Sequence, residues 1–170
     1  GKMSKAKILV LNFGGQYDQL IVRRVREMGV YAELHECDEP IAEIDTTNLA
    51  GIILTGGPQS VTDSDSPRAD KKIFDQAVPI LGICYGHQYI NHHFGGDVET
   101  PSLAEYGKTQ LEVDNKSKLF ENLPKESIIW MNHKDRISKI AQGFEVTAKT
   151  ANTEVAAMEN LDKEIYSVQF

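Results

Sequence analysis

Residues 7–12 (Lys-Ile-Leu-Val-Leu-Asn) form an almost unbroken apolar run, the pattern of a strand buried on both faces of a parallel sheet. Gly14 and Gly15 turn the chain. Over residues 16–28, Leu20, Ile21, Val25 and Met28 recur at helical spacing between Arg23, Arg24, Arg26 and Glu27, and Gly29 closes the predicted helix. A second strand is expected over 31–35 and a third, again apolar, over 51–55. A short amphipathic helix over 70–76 leads into a strand that ends at Cys84, after which Tyr89, Ile90 and Phe94 follow helical spacing. Beyond Gly95-Gly96 the period changes to two. Alternating segments at 109–113, 127–131, 144–148 and 165–170, separated by Asn, Lys, Pro and Gly, read as antiparallel strands added beside a parallel core. The pattern predicts a three-layer α/β/α fold with a mostly parallel central sheet plus antiparallel additions. No linker or repeat interrupts it, so residues 1–170 are expected to form a single domain.

Composition narrows the function classes. The chain is 41% hydrophobic, which is ordinary globular content, and its formal charge of −7 argues against a nucleic-acid surface. Basic residues do gather between Lys116 and Lys139, but Asp114, Glu121, Glu126 and Asp135 interleave with them, as on a solvated face. No apolar stretch approaches the roughly 18 residues needed to span a bilayer, so no membrane role is expected. Two cysteines, Cys37 and Cys84, make no disulfide framework, and a reducing cytoplasm is the expected location. The turn at Gly14-Gly15 carries neither a Gly-x-Gly-x-x-Gly fingerprint nor a Walker-type ending. Nucleotide binding is not indicated there, and no metal-ligand spacing appears.

The candidate chemistry lies at Gly82-Ile83-Cys84-Tyr85-Gly86. Gly-x-Cys-x-Gly between a strand and a helix is the thiol counterpart of the Gly-x-Ser-x-Gly nucleophile elbow. A cysteine ending an apolar strand is ordinarily inert core, but flanking glycines are what a sharp turn needs. A helix starting at Tyr85 would point its free N–H groups and positive end at the sulfur and favour the thiolate. Cys84 is therefore the candidate nucleophile, with the Tyr85 N–H as an oxyanion donor. One strand earlier, Gly56-Gly57-Pro58 places bare backbone at the carboxyl end of a predicted parallel strand, where open α/β sheets bind ligands. Gly57 is the expected second donor, although the same tripeptide serves equally as a plain turn.

Several motifs carry a resemblance that covers nearly the whole chain: Asn-Phe-Gly-Gly-Gln-Tyr (12–17), Gly-Ile-Ile-Leu-Thr-Gly-Gly-Pro-Gln-Ser-Val (51–61), Gly-Ile-Cys-Tyr-Gly-His-Gln (82–88), Glu-Tyr-Gly (105–107), Trp-Met-Asn-His-Lys-Asp (130–135) and Tyr-Ser-Val-Gln-Phe (166–170). With them the chain resembles the class I (triad) glutamine amidotransferases, of flavodoxin-like fold, and within them the amidotransferase part of GMP synthetases. The resemblance implies that Cys84 attacks the side-chain amide of glutamine while Gly57 and Tyr85 hold the oxyanion. It implies that Gly56 and Gln88 contact the substrate, and that Asn132, His133, Lys134 and Asp135 line the glutamine pocket and face a partner. That partner is an ATP-pyrophosphatase (synthetase) subunit that adenylates XMP. The chain itself should need no cofactor, with ATP and Mg belonging to the partner, whose Ser-Gly-Gly-x-Asp-Ser loop is absent here.

In the family a histidine and a glutamate in His-Pro-Glu follow a strand like residues 166–170, and the chain given stops at Phe170. The expectation is a domain incomplete at its C-terminus, whose thiol lacks its base and turns glutamine over poorly. Among the other histidines, His133 is the candidate substitute, His87 borders the pocket in poor in-line geometry, and His35, His92 and His93 are structural. Three competing readings are open: an amidotransferase of anthranilate or aminodeoxychorismate synthesis, a cysteine peptidase on a related fold, and a docking or regulatory subunit.

Overall fold

The computed structural model describes residues 6–15, 18–57, 59–102, 105–114, 117, 119–120 and 126–170, with only the backbone of Glu105, Trp130 and Asn132. Strands β1 (Lys7–Asn12), β2 (Tyr31–Glu36), β3 (Leu49–Thr55) and β4 (Ile80–Ile83) alternate with helix α1 (Asp18–Glu27) and two 3₁₀ turns (Ile41–Glu43 and Lys71–Asp75). Helix α2 (Tyr85–His93) follows β4, and then come β5 (Asp97–Glu99), β6 (Glu105–Val113), β7 (Glu126–His133), β8 (Arg136–Lys139), β9 (Glu145–Lys149), β10 (Ala157–Asn160) and β11 (Ile165–Val168). A nine-stranded sheet runs β2-β1-β3-β4-β11-β10-β9-β6-β7, and β5 pairs with β8 in a separate ribbon. Within the large sheet β10 and β6 alone run against the other strands.

The apolar run of β1 is buried on both faces because a helix covers each. Val10 joins Val22 of α1 and Ala32 on one side, whereas Leu9 and Leu11 join Ile52, Leu54 and Ile90 of α2 on the other. Helix α1 is amphipathic, and its last turn is tied down by Arg26, whose guanidinium donates to the Ala32 carbonyl at 2.8 Å. A third cluster, including Leu111, Val113, Ala148 and Val168, underlies the antiparallel part.

Three differences from the sequence-based expectation matter for the site. Segment 165–170 yields β11, but it lies parallel to β4, with Val168 beside Ile83 and Ser167 beside Gly82. Period-two alternation reports which residues face one way and carries no strand direction, and β11 pairs parallel on one edge and antiparallel on the other. Strands β5, β8 and β10 were not expected at all. The first two are short, and β10 (Ala-Met-Glu-Asn) buries all four of its residues, so no alternation marks it. The helix expected over 70–76 is a 3₁₀ turn capped by the Asp70 carboxylate, which accepts from the Lys72 N–H at 3.0 Å.

Register brings the ligand edge together. Asn12 sits beside Thr55, Leu54 beside Gly82 and Ile83 beside Val168. The carboxyl ends of β1, β3, β4 and β11 therefore open on one side, where an α/β sheet binds ligands.

Candidate active site

Cys84 is the hinge between β4 and α2. Its backbone takes φ 55 and ψ −109, a region that costs a non-glycine residue about 1–3 kcal/mol. The surrounding contacts hold it there. The Cys84 N–H donates to the Val168 carbonyl at 2.9 Å, and the Cys84 carbonyl accepts from the His87 N–H at 3.0 Å. Both flanking glycines are required by close approach: a Cβ on Gly82 would lie 2.6 Å from Ile90 Cδ1, and one on Gly86 would strike the Leu54 carbonyl. The strand-to-helix corner expected from the spacing is thus present.

The glycine loop after β3 lies against this corner. A Cβ on Gly56 would fall 2.6 Å from Cys84 Cβ and 3.0 Å from the Tyr85 nitrogen, and one on Gly57 would strike the Phe13 carbonyl. Among the described residues neither the Gly57 nor the Tyr85 N–H donates to any acceptor. Two uncommitted N–H groups beside a thiol are what an oxyanion site is made of. Beyond them, residues 60–70 are strapped to α2. The Tyr85 hydroxyl donates to the Pro67 carbonyl at 2.8 Å, and the Tyr89 hydroxyl accepts from the Ala69 N–H at 3.1 Å.

Cys84 opens into a cavity of about 880 Å³ whose wall includes Gly56, Gly57, Tyr85, Gln88, His133, Lys134 and Asp135. That volume falls within the roughly 300–1,000 Å³ of small-molecule sites. Seven of the residues singled out in the sequence therefore face the thiol's own cavity. The side chain of Asn132, also singled out, lies outside the described residues. Gln88 is buried, and its amide donates to the Asp135 carbonyl at 3.2 Å and to Gln169 Oε1 at 3.0 Å. His133 Nδ1 donates to the same Asp135 carbonyl at 2.7 Å, and the Thr100 hydroxyl donates to Asp135 Oδ1 at 2.5 Å. Asp135 thus organises this wall through its backbone and its carboxylate together.

Burial pushes the Cys84 thiol up, and no charged group among the described residues counters it. The N-terminus of α2 is the feature that opposes that shift. Cys37, the other thiol, is a core group: burial first, then the charges of Asp38 and Glu36, raise it to about 11.

The histidines require a correction. His87 does not border the pocket; it is fully buried beneath the elbow. Its Nε2–H donates to the Val155 carbonyl at 2.9 Å, and its Nδ1 accepts from the Ser167 hydroxyl at 2.6 Å. His133 lines the cavity, but Nδ1 is committed to Asp135 and Nε2 faces Thr153 Oγ1 at 3.5 Å. His93 stacks on Phe74 with ring centres 4.2 Å apart.

Sequence reasoning missed Asp18, Thr100 and Gln169, which share the cavity wall. Gln169 was accessible to it, since placing 165–170 beside β4 would have put this residue at the ligand edge. Nothing local marks Thr100. Among the described residues no cluster of His, Cys, Asp and Glu suits a metal ion, and no helix is long and apolar enough to cross a membrane.

Comparisons with known proteins agree with this geometry. A family model, glutamine amidotransferase class-I, matches residues 9–170. Glutamine-hydrolyzing GMP synthases of Caldicellulosiruptor saccharolyticus and Clostridium botulinum are each 51% identical, over 96% and 99% of this chain. The chain spans about a third of the length of these curated relatives, 32% and 33%. A crystal structure from Thermoplasma acidophilum, provisionally named a GMP synthase subunit, superposes with a TM-score of 0.87 at 33% identity, covering 99% of this chain and 85% of that one. A Thermotoga maritima glutamine amidotransferase shares the fold, with a TM-score of 0.82 at 17% identity over 99% of this chain and 76% of that one.

Proposed function

Because the chain belongs to the class I glutamine amidotransferases, we propose that it hydrolyses glutamine at Cys84 and supplies the ammonia to an ATP-pyrophosphatase that converts XMP to GMP. The observation that carries the reading is the strained Cys84 corner, open to a cavity that Gly57 and Tyr85 also line, each with an N–H that meets no acceptor among the described residues. The purine assignment is supported by the half-identical GMP synthases.

On this reading the Cys84 thiolate adds to the glutamine side-chain carbonyl carbon, and the oxygen gains the electron pair. The Gly57 and Tyr85 N–H groups hold that oxyanion in a partly dry site, where hydrogen bonds to developing charge are strongest. The leaving nitrogen takes up the proton that the thiol gave up, and collapse breaks the C–N bond and releases ammonia. Water then adds to the thioester, and glutamate leaves as the thiol reforms. His87 is buried with both ring nitrogens engaged by Ser167 and Val155, so on this reading it is not the base that takes the thiol proton.

Recognition of the amino-acid end falls to the other wall. Both N–H donors of Gln88 are engaged, which leaves its carbonyl oxygen to accept from the substrate ammonium. Lys134, exposed at the cavity mouth, suits the substrate carboxylate or an acidic patch of the partner. ATP and Mg bind the partner, and the two free thiols suit a cytoplasmic setting.

The test is Cys84→Ala in the native protein with its synthetase unit. Glutamine-dependent GMP formation should fall by at least about 10⁴-fold, as when a covalent nucleophile is removed, while GMP formation from added ammonium persists within about twofold. Unchanged glutamine use in this variant overturns the role of Cys84, and amination of a different acceptor overturns the pathway.

A further inference from the structure

One side chain outside the cavity holds the backbone on which the oxyanion donors depend. Asn12, the last residue of β1, sits beside Thr55 of β3 and Glu36 of β2. Its Oδ1 accepts from the Gly14 N–H at 2.7 Å and the Gly15 N–H at 3.2 Å. This is an Asx turn, in which a side-chain carbonyl replaces a backbone one, and Gly14 takes φ 93 within it. The other end of the amide is occupied too, since Nδ2 donates to Glu36 Oε1 at 3.3 Å. The side chain is fixed from both ends.

The turn it holds is in direct contact with the loop beyond β3. A Cβ on Gly15 would strike the Gly56 carbonyl, and a Cβ on Gly57 would strike the Phe13 carbonyl. The backbone of residues 13–15 and that of 56–57 are therefore pressed together with no side chain between them. Gly56 in its turn lies against Cys84 Cβ and the Tyr85 nitrogen. A displacement of the first turn has no soft group to absorb it and passes to the donors.

We infer that Asn12 is a positioning residue for the oxyanion site: by pinning the Gly14-Gly15 turn it sets where the Gly57 N–H points relative to Cys84. Asn12 is absent from the cavity wall and touches no reacting group. The inference rests on the proposed glutaminase reading, which assigns the Gly57 N–H its task. It explains why a polar residue ends the strand after four apolar ones, Ile8 to Leu11, a feature the packing of β1 does not require.

The experiment compares Asn12→Leu, nearly isosteric but without an acceptor, with Asn12→Asp made in a Glu36→Gln background (N12D below), which keeps the oxygen that receives both N–H groups and puts an amide donor, not a second carboxylate, beside it. Both are assayed in the native protein with its synthetase unit. A misplaced oxyanion donor costs about tenfold to a hundredfold in kcat, so N12L should lose that much with KM moving less than about threefold. N12D should retain kcat within about threefold. Backbone order parameters of Gly56 and Gly57 should fall from about 0.85 to below about 0.6 in N12L and stay high in N12D. A merely structural role would lower thermal stability in N12L and leave both kcat and these amides unchanged, which overturns the inference, as does an equal loss in the two variants. If the unsubstituted protein releases no glutamate from glutamine, the functional reading has failed; the Gly56 and Gly57 order parameters then decide the positioning role, loosening in N12L alone upholding it and unchanged values overturning it. Should N12L not fold, Asn12→Ala provides the same comparison with N12D.

Discussion

The cavity has two walls made of different material. On one side stand Gly15, Gly56 and Gly57, where an added Cβ would run into backbone or into the nucleophile's own Cβ. On the other stand Gln88, Thr100, His133, Asp135 and Gln169, joined by side-chain hydrogen bonds. The first wall presents N–H groups whose positions are set by chain against chain. The second presents groups whose character changes with one substitution. Stabilising a developing oxyanion demands donors that do not move during reaction, and bare backbone in close contact supplies that. Choosing a substrate demands a particular pattern of donors and acceptors, which side chains supply. The two walls should therefore fail differently: damage to the first should appear in kcat, and damage to the second in KM.

Gly57→Ala tests the first half of that statement and carries the larger expected effect of the two walls. The new methyl group would strike the Phe13 carbonyl, so the loop must shift and take its N–H away from the sulfur. Loss of one oxyanion donor costs about 10²–10³ in kcat. Steady-state glutamine hydrolysis should show that fall with KM within about threefold. A loss confined to KM would mean that this wall holds ground-state substrate and that the oxyanion assignment is wrong.

Gln88→Leu tests the second half. The substitution takes the Gln88 donor from Gln169 Oε1, while the Asp135 carbonyl keeps its bond from His133 Nδ1, and a buried acceptor stripped of its partner costs about 1–3 kcal/mol. Part of that cost should appear as a lowered denaturation midpoint and part as a KM for glutamine raised about tenfold, with kcat nearly kept. A fall in kcat like that of Gly57→Ala would erase the distinction between the walls.

The same division explains how much of the site the sequence disclosed. The elbow was legible because its requirements are local: Gly82, Cys84 and Gly86 lie within five residues, and each glycine answers a close contact near the turn. Gly56-Gly57 was legible as bare backbone ending an apolar strand, although the contacts that require it, with Cys84 and the Phe13 carbonyl, are distant in sequence. The five parallel strands were foreseen apart from β11, whose neighbour β4 is far away in sequence and whose alternation gives no direction. The side-chain wall was harder. Gln88 and residues 132–135 came from the family resemblance, whereas Thr100 and Gln169 reach the cavity through tertiary pairing that no local pattern records. His87 was misplaced for a related reason: it lies three residues past the nucleophile, on the helix face turned to β11, where Ser167 and the Val155 carbonyl meet it.

That buried imidazole carries the smallest of the expected effects and extends the contrast below the side-chain wall. Burial, with a smaller push from nearby His133, lowers His87 to about 4, and its bond to the Val155 carbonyl offsets this only in part. An unfolded histidine takes up its proton near 6.5, so between these values the unfolded chain binds more protons than the folded one. Stability is then lost as pH falls from about 6.5 toward 4, by up to about 1.4 kcal/mol per pH unit. His35, half-buried on β2, behaves oppositely. Burial alone would lower it, but the Glu33 and Glu39 carboxylates outweigh that and raise it. Its contribution is present in full below the unfolded value and is lost as pH rises through the folded one. Urea denaturation of the unsubstituted protein, His87→Asn and His35→Gln from pH 8 to pH 5 separates the two. His87→Asn should flatten the acid loss, and His35→Gln should steepen it. An unchanged slope in His87→Asn would mean that the folded protein protonates this ring as readily as water does, and the neutral, hydrogen-bonded floor beneath the elbow would have to be abandoned.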